Sequence, residues 1–83
     1  GEQMSERTQY MGQRVELRQQ RQRVALDCEA LRDRLRLALP LAEEVSAIDR
    51  EVVVNAAMAL HERLGELQGI DRKLAILNRE LGD

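Results

Sequence analysis

A single proline, Pro40, stands near the middle of a chain that holds almost nothing else able to stop a helix. Proline lacks an amide hydrogen and its ring clashes with the preceding turn, so a helix ends or kinks sharply there. On each side the sequence reads as helix, over nearly equal lengths. Upstream, Ser5 is a side-chain cap, and Glu6 follows in the first turn, where negative charge suits the helix dipole. From there to Leu39 only Gly12 opposes a helix, at about 1 kcal/mol relative to alanine. Downstream, Ser46 followed by Asp49 resembles a capping arrangement, and Gly82 is a natural C-terminal stop. The pattern predicts a helix over about 5–39, a turn over about 40–45 and a helix over about 46–81. Equal lengths around one break are what an antiparallel hairpin requires. Gly65 and Gly69 mark the place where the second helix could split, with a third helix starting near Asp71.

The second helix carries more apolar surface than one neighbour can cover. Val52 to Leu60 is apolar at every position but Asn55. Nine helical residues make about two and a half turns, so only the direction of Asn55 stays polar. Farther along, Val53, Ala57, Leu60, Leu64, Leu67, Leu74 and Leu81 fit a seven-residue repeat. Ile48, Val52, Ala56, Ala59, Leu67, Ile70, Leu74 and Leu81 fit an eleven-residue repeat about as well. Two overlapping seams imply two neighbours. The first helix is poorer. Its seam runs Tyr10, Arg14, Leu17, Arg21, Val24, Cys28, Leu31, Leu35, Ala38, with two arginines in the first half, which is expected to be the more solvated and mobile end. In a hairpin that half faces Leu64, Leu67, Ile70, Leu74, Ile76, Leu77 and Leu81, and the apolar supply does not match.

A second chain is the simplest cover. The expected fold class is therefore all-α: an antiparallel, coiled-coil-like two-helix hairpin dimerising into a four-helix bundle. The expected oligomer interface comprises Val52, Val53, Ala56, Ala57, Leu60, Leu64, Leu67, Ile70, Leu74 and Leu77. Asn55 either fixes register or partner number, as a buried Asn does in coiled coils, or sits at an exposed edge.

The absence of Phe and Trp fits this picture, since Tyr10 is the only aromatic residue and aliphatic side chains must build the core. No strand is legible. Charge divides between the halves: residues 5–39 hold eight Arg against five acids, residues 40–83 five bases against nine acids. Complementary halves favour helices packed on each other. In a hairpin, Arg18 would lie opposite Glu66, Arg21 opposite Glu62 and Arg32 opposite Glu51. The angular sense of the two charged stripes fits parallel neighbours better. That arrangement pairs Arg7 with Glu44, Arg14 with Glu51, Arg21 with Glu62 and Arg36 with Glu80, between two chains whose turns lie at opposite ends. Exposed pairs of this kind contribute about 0–1 kcal/mol each and select an arrangement more than they stabilise it.

No residue pattern identifies a chemistry. Arg14, Arg18, Arg21 and Arg23 could grip phosphates, but the segment has no aromatic stacking platform and Glu16 lies within it. A solvated or inter-chain salt-bridged face is the blander reading, and binding to nucleic acid is the alternative function. His61 reads as a surface histidine beside Glu62 and Glu66, short of the convergent ligands a metal needs. Cys28, the lone cysteine, reads as a small buried apolar residue between Val24 and Leu31. No catalytic residue, cofactor site or metal site is expected. No family resemblance is carried either. The Trp-x-Gly turn of one class of small secreted helical hairpins needs a Trp, and the cationic pocket of the all-helical chorismate mutases cannot be placed. No apolar run approaches the roughly 20 residues of a membrane span. The expectation is a cytoplasmic, non-enzymatic interaction module, acting as adaptor, chaperone or regulatory subunit. It is a homo-oligomer with a dimer favoured, open to an unidentified protein partner. Residues 1–4 are expected to be a disordered N-terminus or cloning remnant, with Met4 as the native start.

Overall fold

Ser5 starts the first helix as expected. Its hydroxyl oxygen accepts the amide of Thr8 at 3.1 Å, satisfying one of the amides a helix start leaves open. In the computed structural model, which describes residues 5–82, α1 runs Glu6–Ala38 and α2 runs Arg50–Leu81. The expectation for residues 1–4 lies outside the described residues. The two helices pack antiparallel against each other, and there is no strand among the described residues. At the end of α1 the Leu39 amide reaches back to the Arg36 carbonyl at 3.2 Å, and Pro40 has no amide with which to continue.

The connection is longer than expected. It spans 39–49 and contains a single 3-10 turn, Val45–Ala47, held by the Ala47 amide on the Glu44 carbonyl at 2.9 Å. Ser46 is therefore not the cap of α2. Asp49 is: one carboxylate oxygen accepts the amides of Glu51 at 3.0 Å and Val52 at 3.2 Å. A carboxylate is the better partner for the positive end of the helix dipole. Ile48 supplies a second reason. It is half-buried and lines a small cavity under the connection with Ala38, Pro40 and Val52, and a helix begun at Ser46 would carry it off this site. Asp49→Ala is expected to cost about 1 kcal/mol. Ser46→Ala should stay within about 0.5 kcal/mol, like other surface changes. Urea midpoints of the two variants read the difference, and the reverse order would return the cap to Ser46.

α2 passes through Gly65 and Gly69 without a break. Two glycines cost about 2 kcal/mol, and the apolar seam on both sides of them holds the helix on α1. Gly82 ends α2 in the left-handed conformation, φ 80°, with its amide on the carbonyls of Asn78 and Arg79.

The core is a seam, not a ball. Val24 and Cys28 of α1 meet Ile70 and Leu74 of α2, with Leu17, Leu60 and Leu67 packed around them. Among the described residues Ala56, Leu77 and Leu81 are the other buried side chains. The resulting body measures 67 × 23 × 14 Å, with a radius of gyration of 18.8 Å. A compact chain of this length would have about 12 Å. Every residue of this rod lies close to its surface, so each apolar side chain outside the seam faces solvent unless something covers it.

Candidate interaction surface

Arginines placed on the seam of α1 bridge it to α2. Arg21 holds Asp71 with two parallel contacts, Nε to Oδ1 at 2.5 Å and Nη2 to Oδ2 at 3.4 Å. The hydrogen bond and the charge of Asp71 push the Arg21 guanidinium still further above its ordinary pKa. Arg14 donates to Asn78 Oδ1 and Arg7 to the Leu81 carbonyl, each at 3.3 Å. On the opposite edge Arg63 reaches Asp27 at 3.9 Å and Glu66 at 2.7 Å. Hydrogen bonding to Glu66, then its charge, raises the Arg63 pKa, with Asp27 adding less.

These contacts correct the expected register. Arg21 faces Asp71 rather than Glu62, and Arg32 turns to its neighbour Asp33 at 3.1 Å rather than to Glu51. The longer connection accounts for part of the shift, and a stagger between the helix ends accounts for the rest. They also change the reading of the first half of α1. Arg14 and Arg21 were expected to interrupt its packing, yet each reaches a polar group on α2. A long side chain can lie across an apolar strip and still deliver its charge to the edge.

The ten expected interface residues divide into three sets. Ala56, Ile70, Leu74 and Leu77 are buried within the hairpin itself. Val52 lies half-buried under the connection. Val53, Ala57, Leu60, Leu64 and Leu67 form a row at alternating four- and three-residue steps, half-buried except for Leu64, which is exposed. Leu60, Leu64 and Leu67 line a groove of about 400 Å³ with Ala25 and Cys28, and Arg21 and Arg32 stand at its edge. A second groove, of about 380 Å³, opens near the free ends of the helices between Tyr10 and Leu17 on one side and Ile76 and Leu77 on the other.

The sequence reading missed a third apolar surface, at the turn. Leu37, Leu41 and Val45 are 82, 104 and 75% exposed. Turns are ordinarily built from Gly, Asn, Asp and Ser, so Leu39-Pro40-Leu41 was the available signal.

The four candidate polyanion-binding arginines do not converge. Arg14 and Arg21 are engaged with α2, while Arg18 and Arg23 are exposed. Arg23 is five positions on from Arg18 and so turned about 140° from it around the helix. His61 and Asn55 are exposed and Cys28 is buried. Among the described residues no group of three or more His, Cys, Asp or Glu side chains could hold a metal ion, and no helix is long and apolar enough to cross a membrane. No family model, curated protein or solved structure matches the chain.

Proposed function

We propose that this chain is a non-enzymatic helical interaction module that works by self-association, two hairpins layering into a four-helix bundle. The observation that carries this is the surface left over. The hairpin exposes 6712 Å². A compact protein of the same 9.5 kDa exposes about 5,000 Å². The excess is about twice the roughly 800 Å² per partner of a standard stable interface. Part of it is apolar and already ordered: the row from Val53 to Leu67 lies on a rigid helix, so covering it requires little further loss of conformational freedom. Layering a second hairpin over this row would turn a one-seam rod into a body with an enclosed core, the usual solution for helices with a broad apolar face. Sedimentation equilibrium at tens of micromolar should give about 19 kDa, twice the chain mass. A well-folded monomer at 100 µM, with no trend toward larger mass, would remove the reading.

A further inference from the structure

Counted over the whole chain, charge comes in blocks along the rod. Arg21 faces Asp71 and Arg14 faces Asn78, so residues 14–25 of α1 lie beside 67–78 of α2. This belt carries six basic side chains against Glu16 and Asp71, a charge of +4. The connection, 39–49, carries Glu43, Glu44 and Asp49 and no Lys or Arg, a charge of −3. The stretch between them, 26–38 with 50–66, is nearly balanced at −1, and the chain ends, 1–13 with 79–83, carry −2. Arg18 is the exposed arginine of the belt on the side of the apolar row. It stands seven residues before Ala25 and eleven before Glu29, spacings that keep a residue on one side of a helix. Ala25 and Glu29 line the same groove as Leu60, Leu64 and Leu67. The row from Val53 to Leu67 and the basic belt thus share one face.

We propose that two hairpins layer antiparallel over this face about a two-fold axis at Leu60, so that the acidic turn of each copy lies on the basic belt of the other. This rests on the self-association reading above and specifies where its axis lies. Two independent features place the axis at one level. The midpoint of the apolar row is Leu60, so a two-fold there lays the row on itself, with Val53 at the level of the partner's Leu67. The midpoint between turn and belt falls near residue 31 of α1, and the facing pairs Arg21–Asp71 and Asp27–Arg63 put that residue beside Leu60. Reversal about this level brings Glu43 and Glu44 to the partner's Arg18 and Arg21, and Glu29 to the partner's Arg36. Charge excludes the parallel alternative, because a two-fold along the rod would set −3 beside −3 and +4 beside +4. The overlap is about 33 Å long. Across the 23 Å width of the rod it covers about 760 Å² on each partner, close to the roughly 800 Å² of a standard interface. Both turns and both belts are used, so the pair is closed.

The test is a chain carrying Gln22→Cys with Ala42→Cys, treated at micromolar concentration with a short bis-maleimide. Both sites are exposed, one beside the belt and one in the turn, and neither change touches a charge. Within one chain they are out of each other's reach, since Gln22 lies about 26 Å along α1 from Leu39. The parent chain, whose Cys28 is buried, is the blank, and circular dichroism checks that the fold is kept. Expected is a covalent dimer on a denaturing gel from the double variant and from neither single one. A dimer from Ala42→Cys alone would set the turns side by side, and a ladder of larger species would mean copies joined head to tail; either overturns the proposal. A double variant that sediments as a dimer without cross-linking also overturns it and leaves self-association standing, whereas a parent chain that stays monomeric removes both. A second arm keeps the native cysteine content. Glu43→Lys with Glu44→Lys changes the connection from −3 to +1 and is expected to weaken dimerisation about tenfold or more. Added salt is expected to weaken the parent dimer and to strengthen that of this variant. An unchanged dissociation constant would overturn the proposal as well.

Discussion

Replacing Ile70 with alanine is expected to destabilise the hairpin by about 2–5 kcal/mol, enough to unfold much of it at room temperature. Ile70 is 4% exposed and stands at the centre of the seam, packed with Val24, Cys28 and Leu74. Removing its outer carbons loses their transfer free energy and leaves a void that rigid neighbours fill poorly. The cost is severe because the core is thin. Chains of this size have about 4–12 kcal/mol of stability in all, and a single small core rarely supplies more than about 3–5. Urea denaturation followed by circular dichroism reads the loss. Leu26→Ala is the control: Leu26 is large and apolar but exposed on the far side of α1, so its loss should move stability by less than about 0.5 kcal/mol. Equal losses at the two positions would mean that the seam does not run where Ile70 and Val24 place it.

Ser5, Pro40 and Gly82 could be read from the sequence because their effects are local. A hydroxyl accepting an amide three residues on, a missing amide and a left-handed residue each act within one helical turn, and their outcome does not depend on the rest of the chain. The start of α2 was not legible, because Ser46 and Asp49 are both competent caps. The decision between them fell to Ile48, which seats beside Ala38 and Pro40 in the folded hairpin. Helix register was hidden for a related reason: it depends on the number of residues in the connection, so an error of a few residues there moves every facing pair. The surface was half legible. A heptad stripe shows that a row is apolar, but not whether the cover is the chain's own first helix or a second copy. Ile70 and Leu74 went to the first, while Leu60, Leu64 and Leu67 remain at the edge of a groove. Arg14 and Arg21 misled for the opposite reason. A charge on a seam reads as a gap in packing, yet a flexible side chain reaches past the seam to Asn78 and Asp71.

The glycines of the helix interiors yield the other large effect, this time stabilising. Gly12→Ala together with Gly65→Ala is expected to raise stability by about 2 kcal/mol, near 1 at each site, because alanine has less backbone freedom to lose on folding. A methyl group at either position meets nothing within 4 Å, so no packing cost offsets the gain. The two sites lie on different helices well apart along the rod, where effects add. For a domain of this size, about 2 kcal/mol corresponds to roughly 8–16 °C in melting temperature. Gly82 is the internal control. Its φ of 80° is a conformation side chains resist, so Gly82→Ala should lower the melting temperature. The double variant also bears on assembly. Gly12 and Gly65 open to solvent in the single hairpin, and neither belongs to the row from Val53 to Leu67 that the proposed dimer covers. Its dissociation constant should therefore match the parent's while its melting temperature rises. A higher melting temperature with much weaker dimerisation would place a partner helix directly over these glycines, and would move the interface to the outer faces of α1 and α2.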